Sequence, residues 1–373
     1  MILYIWAALL SVFVGSYISY FGYLKHRAKD PWGFEIDPQF SPCITVLVPA
    51  FNEEQAILSK FENLKEVSYP KDKMEVVIID DASTDQTLAK AEWLVKANPE
   101  MHVKILHQTE RQGKAKGLNA ALHNCSNDIV VVTDTDTFWP PDILRKTLPY
   151  LSDPRIGALS GLGQAKNFEQ SWVTKAEKNY LSMISILRLG ESKIHSTLRF
   201  EGCFSAFKRC AFQTFDSESG ADDSGTALRI VQNGFRAILV PEARIQAEIA
   251  FKLRERARAK TRRAVHLAGL WVQCLRLLVK KHLKLPKRIA IPEIFLSLFL
   301  PFIFVAIVCL TFVLLAYYPI PVSLFLAAIF LMGLVPRTRG YIVQGVLDQF
   351  ILFYAVLLLA SKKKFVTWEH TRY

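Results

Sequence analysis

Two long apolar blocks enclose a stretch of ordinary globular composition, and this segregation limits the folds open to the chain. Residues 2–24 carry no charged side chain, and most of 289–360 is apolar as well. A membrane-spanning helix needs about 20 consecutive apolar residues. We therefore expect an N-terminal transmembrane anchor at 1–24, a globular domain at 41–250 and a C-terminal transmembrane region at 289–360.

The excess of basic residues lies beside these apolar blocks. The chain has 46 Lys and Arg against 34 Asp and Glu, a formal charge of +12. The basic residues cluster at 25–29, 252–263 and 280–288, and again in a tail at 361–373. Basic residues near membrane segments are typical of the cytoplasmic side and of contact with anionic headgroups. We expect membrane lipids rather than nucleic acid as partners of this charge, with residue 25 onward in the cytoplasm.

Between the apolar blocks, short β-rich runs alternate with helical stretches. We expect strands at 44–48, 76–79, 103–106, 129–133, 157–160, 204–207 and 237–240, and helices near 54–66, 85–97 and 114–123. This alternation predicts an α/β fold with a Rossmann-like mixed, largely parallel sheet. Ligands of such sheets bind beyond the carboxyl ends of the strands, where polar clusters occur at 52–53, 80–81 and 134–136.

Two carboxylates follow the fourth predicted strand. Asp134 and Asp136 come directly after the run Val-Val-Val-Thr, so both lie at the exposed end of that strand. Hard oxygen ligands suit Mg²⁺ or Mn²⁺, which bridge to phosphate oxygens. The alternative is a cap for a helix beginning near Pro140. We predict a metal site at this position.

Polar residues after the first two strands, and a basic loop after the third, are candidates for contact with a nucleotide. Glu53 follows the first strand, and Asp80 and Asp81 follow the second, where a carboxylate can accept hydrogen bonds from a base or a ribose. Lys114 lies in a basic loop that enters a helix, where backbone amides and a lysine can meet phosphate. Helix caps at 83 or 85 and a solvated turn at 111–119 are the structural alternatives.

The basic stretch at 251–288 predicts amphipathic helices in the membrane interface. Leu270, Trp271 and Cys274 share one face of a predicted helix at 265–279, which basic residues flank. An ordinary core helix is the alternative. Beyond it, apolar runs at 290–317, 321–335 and 341–360 leave the number of spans open, because three full spans would place the basic tail outside the cell.

Taken in order, the segments between 44 and 250 resemble family 2 glycosyltransferases of the GT-A fold. The resemblance rests on Pro-Ala-Phe-Asn-Glu at 49–53, Asp-Asp-Ala-Ser-Thr-Asp at 80–85, Gly-Lys-Ala-Lys-Gly-Leu-Asn at 113–119 and Asp-Thr-Asp at 134–136. The apolar layout is similar to the membrane-embedded branch, which includes cellulose, hyaluronan and poly-N-acetylglucosamine synthases and lipid glucosyltransferases. The resemblance implies a metal-dependent, inverting enzyme that uses a nucleotide-sugar, with a UDP-sugar expected.

The resemblance also implies roles for individual residues. Asp223 would be the catalytic base, because the Asp222–Asp223 pair matches the family segment that carries it; helix capping by this pair is the alternative. Asp136 and Asp134 would hold the metal. The nucleotide would be bound by Pro49, Ala50, Glu53, Asp80, Asp81, Lys114 and Asp134, and the acceptor side would be formed by Gly202, Cys203, Phe204 and Asp222.

One departure from the family pattern bears on the product. The processive synthases carry Gln-x-x-Arg-Trp after the base, whereas the equivalent stretch at 253–263 has no tryptophan. Arg254, Arg258 and Arg262 share one helical stripe and are candidates for the diphosphate, with contact to anionic lipid as the alternative. We expect transfer to a lipid or lipid-linked glycan, ahead of processive polysaccharide synthesis and of sugar transfer to a polyprenyl phosphate. An inactive scaffold and a transporter are the remaining alternatives.

Overall fold

A mixed sheet of eight strands forms the globular domain of the computed structural model, which describes residues 1–218, 222–247 and 252–361. The seven strands that the sequence predicts are all present. The eighth, β5, has two residues, too few to produce a sequence pattern. The strands are β1 (Ile44–Ala50), β2 (Met74–Asp80), β3 (His102–His107), β4 (Ile129–Val132), β5 (Thr137–Phe138), β6 (Ile156–Ala165), β7 (Ser205–Lys208) and β8 (Arg236–Ala247).

The strand order brings the predicted polar clusters to one edge of the sheet. The order is β3-β2-β1-β4-β7-β6-β8-β5. β1 lies between β2 and β4 and is parallel to both, and β2 is parallel to β3. β7 runs antiparallel to β4 and β6, which makes the sheet mixed. The carboxyl ends of β1, β2 and β4 therefore lie side by side.

Helices cover both faces of this sheet. Alternate residues of a strand point to opposite faces, so Val46 and Val48 pack in one core and Leu47 in the other. The three predicted helices are confirmed within a few residues, whereas the long helix α6 was without a sequence signal. The domain helices are α2 (Ile57–Glu66), α3 (Thr87–Ala97), α4 (Lys114–His123), α5 (Ile143–Thr147), α6 (Trp172–Ile194) and α7 (Asp222–Gln232).

The basic stretch after the domain contains one long helix, α8 (Leu253–Val279). Its apolar face lies inside the protein, because Leu270, Trp271 and Cys274 are buried in the same core as Leu118 of α4 and Leu228 of α7. Full burial of one large apolar side chain contributes about 1.5–3 kcal/mol. The structure therefore differs from the interfacial helix expected at 265–279 and matches the core-helix alternative, since the domain covers the face that would enter the lipid.

The apolar helices are α1 (Ile2–Arg27), α9 (Lys287–Ile294), α10 (Leu300–Tyr317), α11 (Pro319–Leu334) and α12 (Pro336–Ala360). Among the described residues, three stretches are long and apolar enough to cross a membrane: Ile2–Arg27, Lys287–Tyr317 and Ile342–Ala360. Helix α11 has 16 residues and is shorter than the roughly 20 that a span needs. Of the tail predicted at 361–373, all but Ser361 lies outside the described residues.

Polar contacts attach the apolar helices to one another and to the domain. Trp6 Nε1 of α1 donates to Thr311 Oγ1 of α10 at 2.8 Å. Lys260 Nζ of α8 lies 3.2 Å from a carboxylate oxygen of Glu177 in α6 and 3.1 Å from one of Asp348 in α12. Removing one partner from a buried ion pair is strongly destabilising. This cluster therefore holds α12 against the domain.

The contact between α1 and α6 depends on a glycine. A Cβ atom at Gly190 would collide with the backbone carbonyl of Leu24. We expect Gly190→Ala to force the two helices apart and to lower the free energy of unfolding by about 1–3 kcal/mol, the usual cost of overpacking. Thermal unfolding of the full chain in detergent measures the effect. Gly22→Ala is the matched control, since a Cβ there meets no atom within 4 Å; equal melting temperatures for the two variants would contradict the close approach.

Candidate active site

Hydrogen bonds join the two loops that follow β1 and β2. The Asn52 backbone N–H donates to Ser83 Oγ at 3.0 Å, and Asn52 Oδ1 accepts from the Thr84 backbone N–H at 2.8 Å. Asn52 and Ala82 both have positive φ, 54° and 58°. Asparagine tolerates this conformation, whereas alanine is strained in it, and such strain concentrates at functional sites. Ser83 thus binds the neighbouring loop.

The two aspartates that end β2 have different surroundings. Asp81 accepts backbone N–H bonds from Gln112 and Gly113, both at 2.8 Å, and so holds the loop that leads into α4. Asp80 is fully buried and lies 2.8 Å from His107 Nδ1. Asp81 therefore reaches the surface of the site, whereas Asp80 supports it from behind.

A cleft opens at this edge of the sheet. Its lining includes five of the residues predicted to bind nucleotide and leaves out Glu53 and Asp80. The guanidinium of Arg111 stacks on the ring of Phe51 at 3.9 Å. The lining residues are Pro49, Ala50, Phe51, Ile79, Asp81, Arg111, Gly113, Lys114, Gly117 and Asp134.

The loop between β4 and β5 presents two carboxylates. Thr135 is buried and donates to the carbonyl of Pro49 at 2.9 Å, and buried Thr137 donates to the carbonyl of Asp134 at 3.0 Å. With the threonines directed inward, Asp136 is exposed and Asp134 is half-buried. Helix α5 begins at Ile143, with Asp142 before it. The structure therefore does not use Asp134 or Asp136 as the cap of that helix.

Lys114 joins the carboxylates of two distant segments. Its Nζ lies 2.9 Å from Asp134 Oδ1, 3.4 Å from Asp222 Oδ2 and 3.9 Å from Asp223 Oδ2. Burial disfavours the charged ammonium, but the three carboxylates outweigh it and hold the pKa of Lys114 well above its ordinary value. The lysine thus stays charged and brings α4, the end of β4 and α7 together.

Asp222 and Asp223 are the first residues of α7. Burial raises the pKa of the Asp223 carboxyl, and the adjacent Asp222 carboxylate adds to this effect while Lys114 opposes it. A carboxylate with a raised pKa is a stronger proton acceptor once it is ionised. The position and chemistry of Asp223 therefore suit a general base.

The predicted acceptor side divides into residues at the site and residues in the core. The Gly202 carbonyl accepts the Asp134 backbone N–H at 3.1 Å, so Gly202 and Asp222 both border the Lys114 cluster. Cys203 is 7% exposed, and Phe204 is fully buried with its ring 5.2 Å from that of Trp139. Phe204 thus corrects the prediction: it packs the core and is not accessible to an acceptor.

The three arginines proposed for the diphosphate lie along α8. Arg254 and Arg258 are exposed and Arg262 is half-buried. The basic residues that α8 turns inward are Arg256 and Lys260, which pair with Glu177. A role for Arg254, Arg258 and Arg262 in diphosphate binding stays a prediction.

A further carboxylate near Asp223, that of Glu201, was not predicted as a site residue. Glu201 Oε1 accepts from the buried guanidinium of Arg188 at 2.5 Å, and Glu201 Oε2 accepts the Gly163 backbone N–H at 2.8 Å. Glu201 also contributes, by its charge, to the raised pKa of Asp223. Arg188 lies in α6, a helix without a sequence signal, so this pair was accessible only from the structure.

The two carboxylates after β4 fit a divalent cation whose remaining ligands come from the substrate and from water. Within the described ranges, no group of three or more His, Cys, Asp or Glu side chains is arranged to hold a metal. Mg²⁺ is bound in many enzymes by one or two carboxylates, completed by phosphate oxygens and water. Asp136 and Asp134 suit this arrangement, because one is exposed and the other faces the lysine at the cleft.

Comparisons with known proteins identify the class to which this fold and site belong. The model of glycosyl transferase family 2 matches residues 45–215. A mannosyltransferase from Pyrobaculum calidifontis, solved in complex with GDP-Man and Mn²⁺, superposes with a TM-score of 0.84 at 30% identity, covering 98% of this chain and 100% of that chain. The chain therefore belongs to glycosyltransferase family 2 and has the GT-A fold.

Two curated relatives are named for different products, a glycolipid and a polysaccharide. The beta-monoglucosyldiacylglycerol synthase of Synechocystis sp. is 38% identical over 118 residues, which are 32% of this chain and 25% of the relative. The poly-beta-1,6-N-acetyl-D-glucosamine synthase of Staphylococcus aureus is 26% identical over 205 residues, 54% of this chain and 48% of the relative. The chain thus spans half or less of the length of both relatives.

The close approach of Gly202 to the lysine cluster predicts the effect of a single methyl group. A Cβ at Gly202 would lie 2.7 Å from Lys114 Nζ and 2.8 Å from Asp134 Oδ2. We expect Gly202→Ala to displace this pair and to weaken nucleotide binding about tenfold, a loss of roughly 1.4 kcal/mol. Isothermal titration calorimetry with GDP and with UDP measures the dissociation constants. Gly345→Ala, where a Cβ meets no atom within 4 Å, is the control and should bind nucleotide like the parent. Unchanged affinity in Gly202→Ala would contradict a role of the Lys114 cluster in nucleotide binding.

Proposed function

We propose that the protein is an inverting glycosyltransferase that moves a sugar from a nucleotide-sugar to a lipid or lipid-linked glycan at the cytoplasmic face of the membrane. The observation that carries this proposal is the Lys114 cluster. It joins Asp134, one of the two carboxylates that suit a metal after β4, to Asp223, the carboxylate that suits a base at the start of α7. The proposed transfer to a hydroxyl acceptor uses both groups, one for the leaving diphosphate and one for the acceptor.

The donor would lie along the cleft. Its nucleoside would contact Phe51 and Arg111, and its diphosphate would lie at the amino end of α4, where Lys114 begins the helix. The end of a helix and a lysine both favour phosphate. Bound Mg²⁺ or Mn²⁺, held by Asp136 and Asp134, would supply positive charge to the departing diphosphate. Lys114 would exchange part of its contact with Asp134 for a phosphate oxygen.

Asp223 would take the proton of the acceptor hydroxyl. A base on the side of the sugar opposite the leaving diphosphate directs attack to that side, so the anomeric configuration inverts. Lys114 keeps Asp223 near the donor, and Gly202 and Asp222 border the space in which the acceptor hydroxyl would lie. Glu201, fixed by Arg188, would add a hydrogen-bond acceptor for a sugar hydroxyl there.

The apolar helices support an acceptor that resides in the membrane. Three stretches of the described chain are long and apolar enough to cross a bilayer, and α1, α8 and α12 are packed on the catalytic domain. The basic residues at 252–263 and 280–288 favour the cytoplasmic side. A glycolipid synthase among the relatives points in the same direction.

A GDP-sugar is the second candidate donor. The resemblance in sequence motifs favours UDP, but the solved structure that matches along its whole length is a mannosyltransferase in complex with GDP-Man. The cleft surface formed by Phe51 and Arg111 is compatible with stacking of either base. GDP-mannose therefore has to be tested beside the UDP-sugars.

The direct test is turnover of radiolabelled UDP- and GDP-sugars by membranes that contain the full chain, with the products sorted by solvent extraction. We expect label from one donor in the organic phase. Asp223→Asn should lower the rate at least about 100-fold, the contribution typical of a general base, while donor binding persists. Glu218→Gln, an exposed acid close in sequence, is the control and should keep full activity.

Other outcomes of this experiment have defined meanings. Label in a polymer of high molecular weight would make the protein a polysaccharide synthase. Full activity of Asp223→Asn would point to a phosphate acceptor, which needs little help from a base. No turnover of any donor, with added lipid extract, would contradict the proposed enzyme.

Metal removal gives an independent prediction. We expect EDTA to abolish transfer and Mn²⁺ or Mg²⁺ to restore it. Without the metal, the negative charge of the leaving diphosphate would not be compensated. Asp136→Ala should raise the Mn²⁺ concentration for half-maximal activity at least about tenfold. Asp142→Ala is the matched control, because this aspartate precedes α5 and pairs with Lys146 instead of facing the cleft. Transfer that is insensitive to EDTA would exclude a metal role for Asp136 and Asp134.

A further inference from the structure

A buried lysine lies beneath the loop that carries Asp134 and Asp136. Lys60, in α2, is 1% exposed. Its Nζ donates to Thr133 Oγ1 at 2.7 Å and to the backbone carbonyl of Thr137 at 2.8 Å. Thr133 and Thr137 are the residues on either side of the segment 134–136. One ammonium therefore connects the two ends of the loop.

A second polar residue of α2 extends this contact. Asn63, one turn after Lys60 in the helix, donates to the Trp139 carbonyl and accepts the Trp139 backbone N–H, both at 2.8 Å. The Lys60 ammonium also lies 4.8 Å from the centre of the Trp139 ring. Residues three and four apart share one face of a helix. Lys60 and Asn63 thus form one polar face of α2 that holds the chain from Thr133 to Trp139.

Residues 133–136 lie outside the paired strands, so contacts from β1, Gly202 and α2 have to hold them. Strand β4 ends at Val132 and β5 begins at Thr137, so residues 133–136 lie between two strands. The distance between two carboxylates that share a cation has to be held closely, and residues that orient metal ligands tune the affinity. A buried polar side chain with satisfied hydrogen bonds is well suited to this purpose.

We propose that Lys60 is a positioning residue for the divalent cation, because its hydrogen bonds to Thr133 and Thr137 set the geometry of the Asp134 and Asp136 carboxylates. This inference rests on the proposed metal role of those two aspartates. It does not depend on the charge of Lys60, since a neutral amine also has the two N–H donors that these contacts use. Burial lowers the pKa of Lys60 to about 7, and the charges of Asp134 and Asp136 oppose the shift.

Geometry and charge predict opposite effects of removing the amine. If Lys60 acts only as a nearby positive charge, Lys60→Met relieves repulsion of the cation and tightens Mn²⁺ binding. If Lys60 sets the loop geometry, the same change releases both ends of the loop and weakens Mn²⁺ binding. Methionine has a similar length and suits a buried position, so the substitution separates the two effects with little change in volume.

The test is a Mn²⁺ titration of the purified full chain in detergent, with the free ion measured by electron paramagnetic resonance in the presence of GDP or UDP. We expect Lys60→Met to raise the Mn²⁺ dissociation constant about tenfold, the lower end of the range for residues that orient metal ligands. Lys60→Gln, which keeps an N–H donor, should lie between Lys60→Met and the parent. Lys65→Met is the matched control, because this lysine lies in the same helix and donates to Asn98 at 2.9 Å.

Each result decides whether Lys60 positions the metal ligands. Unchanged or tighter Mn²⁺ binding by folded Lys60→Met would overturn the proposal, even if its melting temperature falls, because a purely structural residue changes stability alone. If Lys60→Met does not fold, Lys60→Gln becomes the deciding variant, and parental affinity in that variant overturns the proposal. The Asp136→Ala chain tests the underlying site separately: equal Mn²⁺ binding by it and the parent would refute the metal role itself.

Discussion

The ammonium of Lys114 lies where the amino end of α4, the end of β4 and the start of α7 converge. Its contacts with Asp134, Asp222 and Asp223 join α4 and β4 to a helix that begins more than 80 residues further along the chain. The cation stabilises the ionised form of these three carboxyl groups, because unpaired buried carboxylates repel one another and lose hydration. The backbone at Gly202 fits against this group with no room for a side chain. The site is thus assembled around one lysine, and a diphosphate would compete with the aspartates for it.

The parts of this structure that the sequence predicts are those with local patterns. Strands of the central sheet are buried apolar runs, and Asp81 and Asp134 directly follow two of them, so their common edge follows from parallel pairing. The same reasoning could not reach α6, whose polar and apolar residues mix, nor the pair that Arg188 of α6 forms with Glu201. The prediction placed Phe204 on the acceptor side for a related reason. Successive residues of an extended segment point to opposite faces, and the sequence motif does not show which face Phe204 takes. Lys60 carries no signal at all, because a lysine in a helix is normally solvated.

The apolar helices and the catalytic domain pack together as one unit in the described chain. Helix α8 buries Trp271 in the domain core, α1 lies against α6 at Gly190, and Lys260 links α6 to α12. Basic residues next to apolar segments suggested an interfacial helix, but amphipathicity alone does not specify whether lipid or protein covers the apolar face. This packing fixes the position of the Lys114 cluster relative to the apolar helices, which the proposed reaction on an acceptor in the bilayer would require.

The most direct test of a site organised around Lys114 is a structure of the full chain with bound Mn²⁺ and nucleoside diphosphate. The protein would be prepared in detergent or nanodiscs, with whichever of GDP and UDP binds to it. We expect the base beside Phe51 and Arg111, a phosphate oxygen within about 3 Å of Lys114 Nζ, the usual hydrogen-bond distance, and the metal on Asp136. Asp223 should then face the open side of the β-phosphate. A nucleotide bound elsewhere, or bound in the cleft with its diphosphate away from Lys114 and Asp136, would contradict this organisation.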